Sequence, residues 1–397
     1  MSRRLASMLA VLAMAGLILV SNGDRPGQAL GQVPLYDFVE YWAAGQLLVA
    51  GENPYDAQRI AQLQKEAGSP GEPILMWNPP WVLPVVLPLG ALPVRTAHLV
   101  WLALHFVVLL VSAELLWRHY GGDPDYSILG PTLTLGFVPC LVALVVGQIA
   151  PLMLLGAAAF LTLVQARRDA AAGAVACLLA VKPHMAYLFW VALLVWAVST
   201  RRWRLLAAGA LTGLALTVLA LAFRPTLLAD YWATARQTPA QYVSPTLGYL
   251  LRVVLDDPWF GWQFLPLLPG LAWLAWYGWR HRAAWDWSTQ MPWLLLVSTL
   301  TAAYGAWLFD LVLLVVPILH VATRLGPPTP RAAMIAGGAV FVALGVGITG
   351  LLLAPWHVEY LYYIWITPVV LIAYLAFDTY LTRRYTNQPQ PAGPPAG

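Results

Sequence analysis

Charge is scarce in this chain of 397 residues: Asp, Glu, Lys and Arg make up 10% of it, and 60% is hydrophobic. Soluble domains carry about 25% charged residues, so a water-soluble multi-domain enzyme is excluded. Cysteine is nearly absent. Cys140 and Cys177 both lie in apolar runs, which leaves no disulfide framework and no Cys-based metal site. There is no P-loop, no Gly-rich dinucleotide fingerprint and no His/Glu metal pair at i,i+4 spacing, and the seven histidines are scattered. A doubly wound nucleotide-sugar site is therefore unsupported. The net charge of +4 comes without a basic stripe, so nucleic acid is not an expected partner.

What is present is hydrophobicity in long runs, with a mean hydropathy of +0.68. Runs fit to cross about 30 Å of hydrocarbon recur from end to end. Expected spans are about 5–22, 95–118, 126–145, 148–165, 170–181, 184–198, 203–223, 261–280, 290–303, 305–324, 332–354 and 360–382. Twenty Trp and seventeen Tyr suit wide interfacial belts. A further apolar run, 76–92, carries Pro79, Pro80, Pro84 and Pro88, which disfavours a regular spanning helix.

The arginines decide the topology. If 76–92 does not cross and the N terminus is cytoplasmic, 14 of the 22 basic residues fall inside, from Arg3 and Arg4 through Arg118, Arg202, Arg324 and Arg331 to Arg383 and Arg384. If 76–92 crosses, most arginines land outside. The reading is an all-α polytopic membrane protein of about twelve spans with both termini cytoplasmic. A single transmembrane domain covers 1–384, with outer loops at about 23–94 and 224–260. The tail 385–397, rich in Pro and Gly, is expected to be disordered. Residues 1–22 have a second reading as a signal peptide.

Few residues could carry chemistry. Asp37 opens an expected helix running toward Gly51, where it is either an N-cap or a catalytic base at the outer interface. Glu40 lies one turn on. Asp310 sits inside an apolar span, where an ionisable group costs several kcal/mol unless paired. Lys182 and His184 flank Pro183 at a break between two short spans, a polar vertex of the kind that lines cavities. Lysine there suits a phosphate or carboxylate partner, or snorkels outward. Gln148 follows Gly147 in a tight turn, to bind a sugar or cap a helix. Arg252 belongs to the second outer loop, where Ser244 and Thr246 could cap a surface helix.

Taken in order, Asp37-Phe38, Tyr41-Trp42, Gly51-Glu52-Asn53-Pro54-Tyr55, Trp77-Asn78-Pro79-Pro80, Gly147-Gln148, Lys182-Pro183-His184 and Tyr304-x-x-Trp307-x-x-Asp310 resemble glycosyltransferase family 87 of the GT-C superfamily. The resemblance implies a GT-C-type fold with interfacial helices in the first outer loop. It also implies an inverting transferase on the extracytoplasmic face of the cell membrane, using a polyprenyl-phosphate sugar, typically mannose, as donor. Asp37 would be the general base. Glu40, Tyr41, Asn78, Gln148, Lys182, His184, Arg252, Tyr304 and Asp310 would bind donor or acceptor, with Lys182, Arg252 and His184 facing the phosphate. No cofactor and no metal is indicated; the lipid-phosphate sugar is a substrate. The absence of a long soluble segment points to a lipid-linked or membrane-associated glycan acceptor. Competing readings are a flippase or transporter, which would show internal symmetry, and a lipid-linked glycan ligase.

Overall fold

The computed structural model describes residues 34–69, 71–236, 243–257, 259–325, 329–356 and 358–386. The expected span at 5–22 and the tail after Thr386 lie outside the described residues.

Every regular element among the described residues is helical. The segment before α4 holds α1 (Phe38–Val49) and α2 (Ala57–Glu66), then a 3-10 turn at Pro80–Val82 that leads into α3 (Leu83–Gly90). α3 has eight residues, roughly 12 Å at 1.5 Å per residue, so this proline-rich run forms no continuous span. Next come α4 (Val94–His119), α5 (Leu129–Gly136), α6 (Val138–Val145), α7 (Pro151–Gln165), α8 (Asp169–Ala176) and α9 (Tyr187–Ser199). After α10 (Trp203–Phe223) come the short α11 (Leu227–Ala235) and α12 (Leu247–Leu255). The chain closes with α13 (Leu267–His281), α14 (Trp287–Thr301), α15 (Val315–Arg324), α16 (Arg331–Leu352) and α17 (Ile366–Thr386).

Four stretches are long and apolar enough to cross a bilayer: α4, α10, α16 and the run Tyr360–Arg384. α10 and α16 expose Leu211, Leu214, Val342 and Val346 on their outer faces. A helix apolar all round cannot face water, so these surfaces face lipid. The sequence pattern suggested twelve spans, but most of the others are short or interrupted. The run 126–145 splits into α5 and α6 at Phe137, whose backbone is extended just before Val138-Pro139. The run 305–324 begins as a 3-10 stretch, Leu308–Leu314, before α15. Hydrophobicity registers a buried broken segment and a continuous span alike, so a count of apolar runs overstates continuous helices.

The interior is assembled by close backbone crossings. α1 lies against α3 where Gly45 meets Gly90; a Cβ on Gly90 would come within 2.2 Å of the Gly45 carbonyl carbon. Gln46 and Trp42 of α1 reinforce that contact by donating to the Gly90 and Leu92 carbonyls. α1 is thus buried along most of its length, although it belongs to a connecting segment.

Candidate active site

Three interruptions in the helices converge beside the start of α1. The first is the turn after α6. Gly147 has φ +69, and an added Cβ would approach Phe38 Cβ to 2.6 Å, so only glycine fits here. The Phe38 amide donates to the Val146 carbonyl at 3.1 Å, and Trp101 Nε1 on α4 donates to the Gly147 carbonyl at 2.7 Å. The second is Lys182, whose extended backbone (φ −133, ψ 77) precedes Pro183 and separates two 3-10 turns. The third is the turn at Gly305 and Ala306, both with positive φ, before Trp307.

These breaks bring together residues far apart in sequence. Gln148 is the hub. Its Nε2 donates to Asp37 Oδ2 at 2.7 Å, and its Oε1 accepts from the Tyr41 hydroxyl at 2.9 Å and from Lys182 Nζ at 3.0 Å. With both acceptor positions of the amide oxygen filled, the amide cannot flip without leaving two buried donors unmatched. Its NH2 must therefore face Asp37. Lys182 Nζ also donates to Asp310 Oδ1 at 2.7 Å and lies 4.7 Å from the centre of the Phe309 ring. One connected chain of hydrogen bonds thus runs from Asp37 through Gln148 and Lys182 to Asp310.

The capping reading of Asp37 is answered by its geometry. Asp37 holds the position before α1, yet its backbone is helical (φ −68, ψ −20) and its carboxylate makes no capping bond. Asp56, nineteen residues on, shows the alternative: its side chain accepts from the Gln58 and Arg59 amides at the start of α2. Asp37 is partly exposed, with one oxygen held by Gln148. Tyr36 just before it has φ 41, a left-handed conformation costing a non-glycine residue about 1–3 kcal/mol.

Electrostatics separate the two acids of this helix. Burial pushes the Asp37 carboxyl above its usual range, while the Gln148 hydrogen bond and the Lys182 charge pull it back. Glu40 is buried and pushed up to about 8, first by burial and then by the charge of Asp37. Like charges sharing a site push one another up, and Glu40 therefore holds its proton at neutral pH.

The other expected site residues fall into different places. Tyr41 is fully buried behind Gln148, so its hydroxyl serves the amide. Asn78 donates to the Val181 carbonyl at 3.0 Å, and Tyr55 donates to the Asn78 carbonyl at 3.0 Å. Together they staple the proline-rich segment to the Lys182 vertex. His184 packs edge-on to Tyr304 at 6.1 Å, beside Gly305. Asp310 is completely buried and depends on Lys182 for its charge partner. Arg252 sits apart on α12, bonded to Gln263 Oε1 at 2.7 Å; Gln263 in turn donates to the Ala303 carbonyl. Thr246 caps α12 through the Tyr249 amide.

Trp101, Phe309 and Tyr360 were not singled out from the sequence, and Tyr55 only as part of a motif without a role of its own. Tyr360, where the last apolar run begins, comes within electrostatic range of Asp37. Trp101 lies in an unbroken apolar helix and left no signal; Phe309 sits beside Asp310 in a motif already singled out.

The model of glycosyltransferase family 87 matches residues 77–355. No curated protein and no solved structure matches the chain. The matched stretch takes in Asn78, Gln148, Lys182, His184, Arg252, Tyr304 and Asp310. Asp37 and Tyr41 lie before it, hydrogen-bonded to it through Gln148. Because the match covers well over half of the sequence, the chain belongs to glycosyltransferase family 87 and is a membrane glycosyltransferase.

Proposed function

We propose that this protein is an inverting hexosyltransferase. It would move a sugar, mannose in the first instance, from a polyprenyl-phosphate donor to a lipid-linked or membrane-associated glycan. The observation that carries the reading is the state of Asp37: an acid at a helix start that does not cap it, with one carboxylate oxygen oriented by a locked amide. Such a group can accept the proton of an acceptor hydroxyl as that oxygen attacks the anomeric carbon. The new carbon–oxygen bond forms as the bond to the lipid phosphate breaks, and the phosphate leaves with the electron pair. A phosphate leaving group needs no general acid, but its charge needs cations nearby.

Lys182 is the cation nearest to hand. Two of its three N–H donors are engaged by Gln148 and Asp310, which leaves one for a phosphate oxygen. His184 would add a neutral donor or acceptor, and Arg252 would act from the second outer segment. We read the chain as one transmembrane unit, 1–384, in the cell membrane, with both termini cytoplasmic and the Asp37 face outside. The distribution of arginines supports this orientation.

The test is transfer by purified protein in nanodiscs supplied with polyprenyl-phosphate-mannose and membrane-glycan acceptors. The product linkage is then read by NMR. Transfer with inversion at the anomeric carbon is expected. Retention of configuration, or transfer only from a nucleotide sugar, would contradict the reading.

A further inference from the structure

Around Lys182 the chain runs as a 3-10 turn over Leu179–Val181 and again over Pro183–Ala186, with Lys182 extended between them. A break of this kind frees carbonyls from their helical partners. In a continuing 3-10 turn the Ala180 carbonyl would be bonded by the amide three residues on, but that residue is Pro183, which has no N–H. In an α-helix the Val181 carbonyl would be bonded by the Met185 amide, which donates instead to the Lys182 carbonyl at 3.1 Å. Val181 is buried and Ala180 half-buried, so both carbonyls call for donors from elsewhere.

Those donors come from one short stretch, Asn78-Pro79-Pro80-Trp81. Asn78 Nδ2 donates to the Val181 carbonyl at 3.0 Å, and Trp81 Nε1 donates to the Ala180 carbonyl at 2.9 Å. The two prolines between them stiffen the stretch, since each fixes its own φ, and Pro80 opens the 3-10 turn Pro80–Val82. Asn78 is itself held, because its carbonyl accepts from the Tyr55 hydroxyl at 3.0 Å. The result is a two-donor clamp on the two peptide groups that lead into Lys182, whose Nζ bridges Gln148 and Asp310.

We propose that Trp81 and Asn78 are positioning residues of the transfer reaction: they fix the backbone from which Lys182 reaches the phosphate of the donor. Both act through Lys182 and not on the substrate, and the inference rests on the reading of Lys182 as the cation nearest that phosphate. Without the clamp the two carbonyls turn to other donors, and the break shifts and carries the ammonium with it. A displacement of about 1 Å at such a group costs on the order of 100-fold in rate.

Trp81→Phe keeps most of the ring and removes the Nε1 donor, while Asn78→Leu removes the other donor at similar volume. Each full-length variant is measured in nanodiscs for unfolding temperature, for affinity toward a polyprenyl phosphate, and for kcat with polyprenyl-phosphate-mannose. Each should stay folded, bind the polyprenyl phosphate about tenfold more weakly and lose roughly tenfold to 100-fold in kcat. Trp81→Phe is then made in Lys182→Met/Asp310→Leu, where no ammonium is left to position. There it should lower the unfolding temperature as before and leave the residual affinity unchanged, a separation that a merely structural role would not produce. Wild-type affinity and kcat in folded Trp81→Phe and Asn78→Leu would overturn the proposal, as would an equal loss of affinity in the background without Lys182. Undiminished polyprenyl-phosphate binding by Lys182→Met/Asp310→Leu itself would remove the phosphate role of Lys182, and the clamp's part in the reaction with it.

Discussion

The two ends of this bundle solve opposite problems. At the Asp37 end, Lys182 and Asp310 are withdrawn from solvent and tied into one hydrogen-bonded cluster, in which Gln148 alone makes three hydrogen bonds. At the far end a cavity of about 530 Å³ lies between α16 and α4, α15 and α17, and its walls are mostly apolar, with Met334, Phe341 and Phe377 among them. The first region is over-determined, so a change to one residue strands its partners. The second is under-filled, so a change there meets little resistance. A rigid, hydrogen-bonded cluster is what a positioned base needs.

The contrast can be tested by breaking each end. The largest effect is expected from removing one member of the buried ion pair. Asp310→Ala or Lys182→Met should each cost about 3–5 kcal/mol, because the surviving charge is left buried and unpaired. Both should lower the unfolding temperature in detergent sharply. The double variant Lys182→Met/Asp310→Leu should recover most of that loss while staying inactive. Recovery of activity as well would show that Lys182 only balances Asp310.

Next comes Gln148→Leu, which removes the amide that aims Asp37. A misplaced catalytic group loses on the order of 100-fold in rate, so kcat should fall by about that amount with a much smaller change in KM. A change confined to KM would return Gln148 to the sugar-binding role considered from the sequence.

The pH dependence separates the two acids. Asp37 must be ionised to act, and burial raises its pKa, so the acidic limb of the rate profile should lie above the ordinary carboxylate range. Glu40 titrates near 8 in the folded protein against an ordinary 4.5, so the folded state binds the extra proton between those values. Its stabilising contribution is complete below pH 4.5 and is lost as pH rises through 8. Glu40→Gln should abolish that loss in unfolding measurements between pH 6 and 9. The smallest effect belongs to the apolar end. Gly338 lines the far cavity and an added Cβ there meets nothing within 4 Å, so Gly338→Phe should gain about 0.5–2 kcal/mol in unfolding measurements by filling space and replacing a helical glycine.

The residues of the Asp37 end were legible in the sequence, and the limits are instructive. Asp37, Gln148, Lys182 and Asp310 stood out because polar residues are conspicuous in apolar runs and because glycine or proline marks the breaks beside three of them. Their mutual contacts were not legible. Nothing in the spacing says that Gln148 reaches Asp37 across 111 positions, or Lys182 Asp310 across 128. The family resemblance implied that Asn78 and Tyr41 bind substrate; in the fold their side chains hydrogen-bond the Val181 carbonyl and the Gln148 amide. The cavity at the far end left no trace in the sequence, since its walls are the same Leu, Ile, Val and Phe that pack the core elsewhere.

The central claim is that the Asp37 carboxylate takes the acceptor proton. The direct measurement is single-turnover transfer by Asp37→Asn, an isostere that keeps the Gln148 contact within reach, in nanodiscs with donor binding measured in parallel. The account predicts unchanged folding and donor affinity, with the rate reduced by about 10²–10⁴-fold. Transfer at the wild-type rate by a folded, donor-binding Asp37→Asn would contradict it.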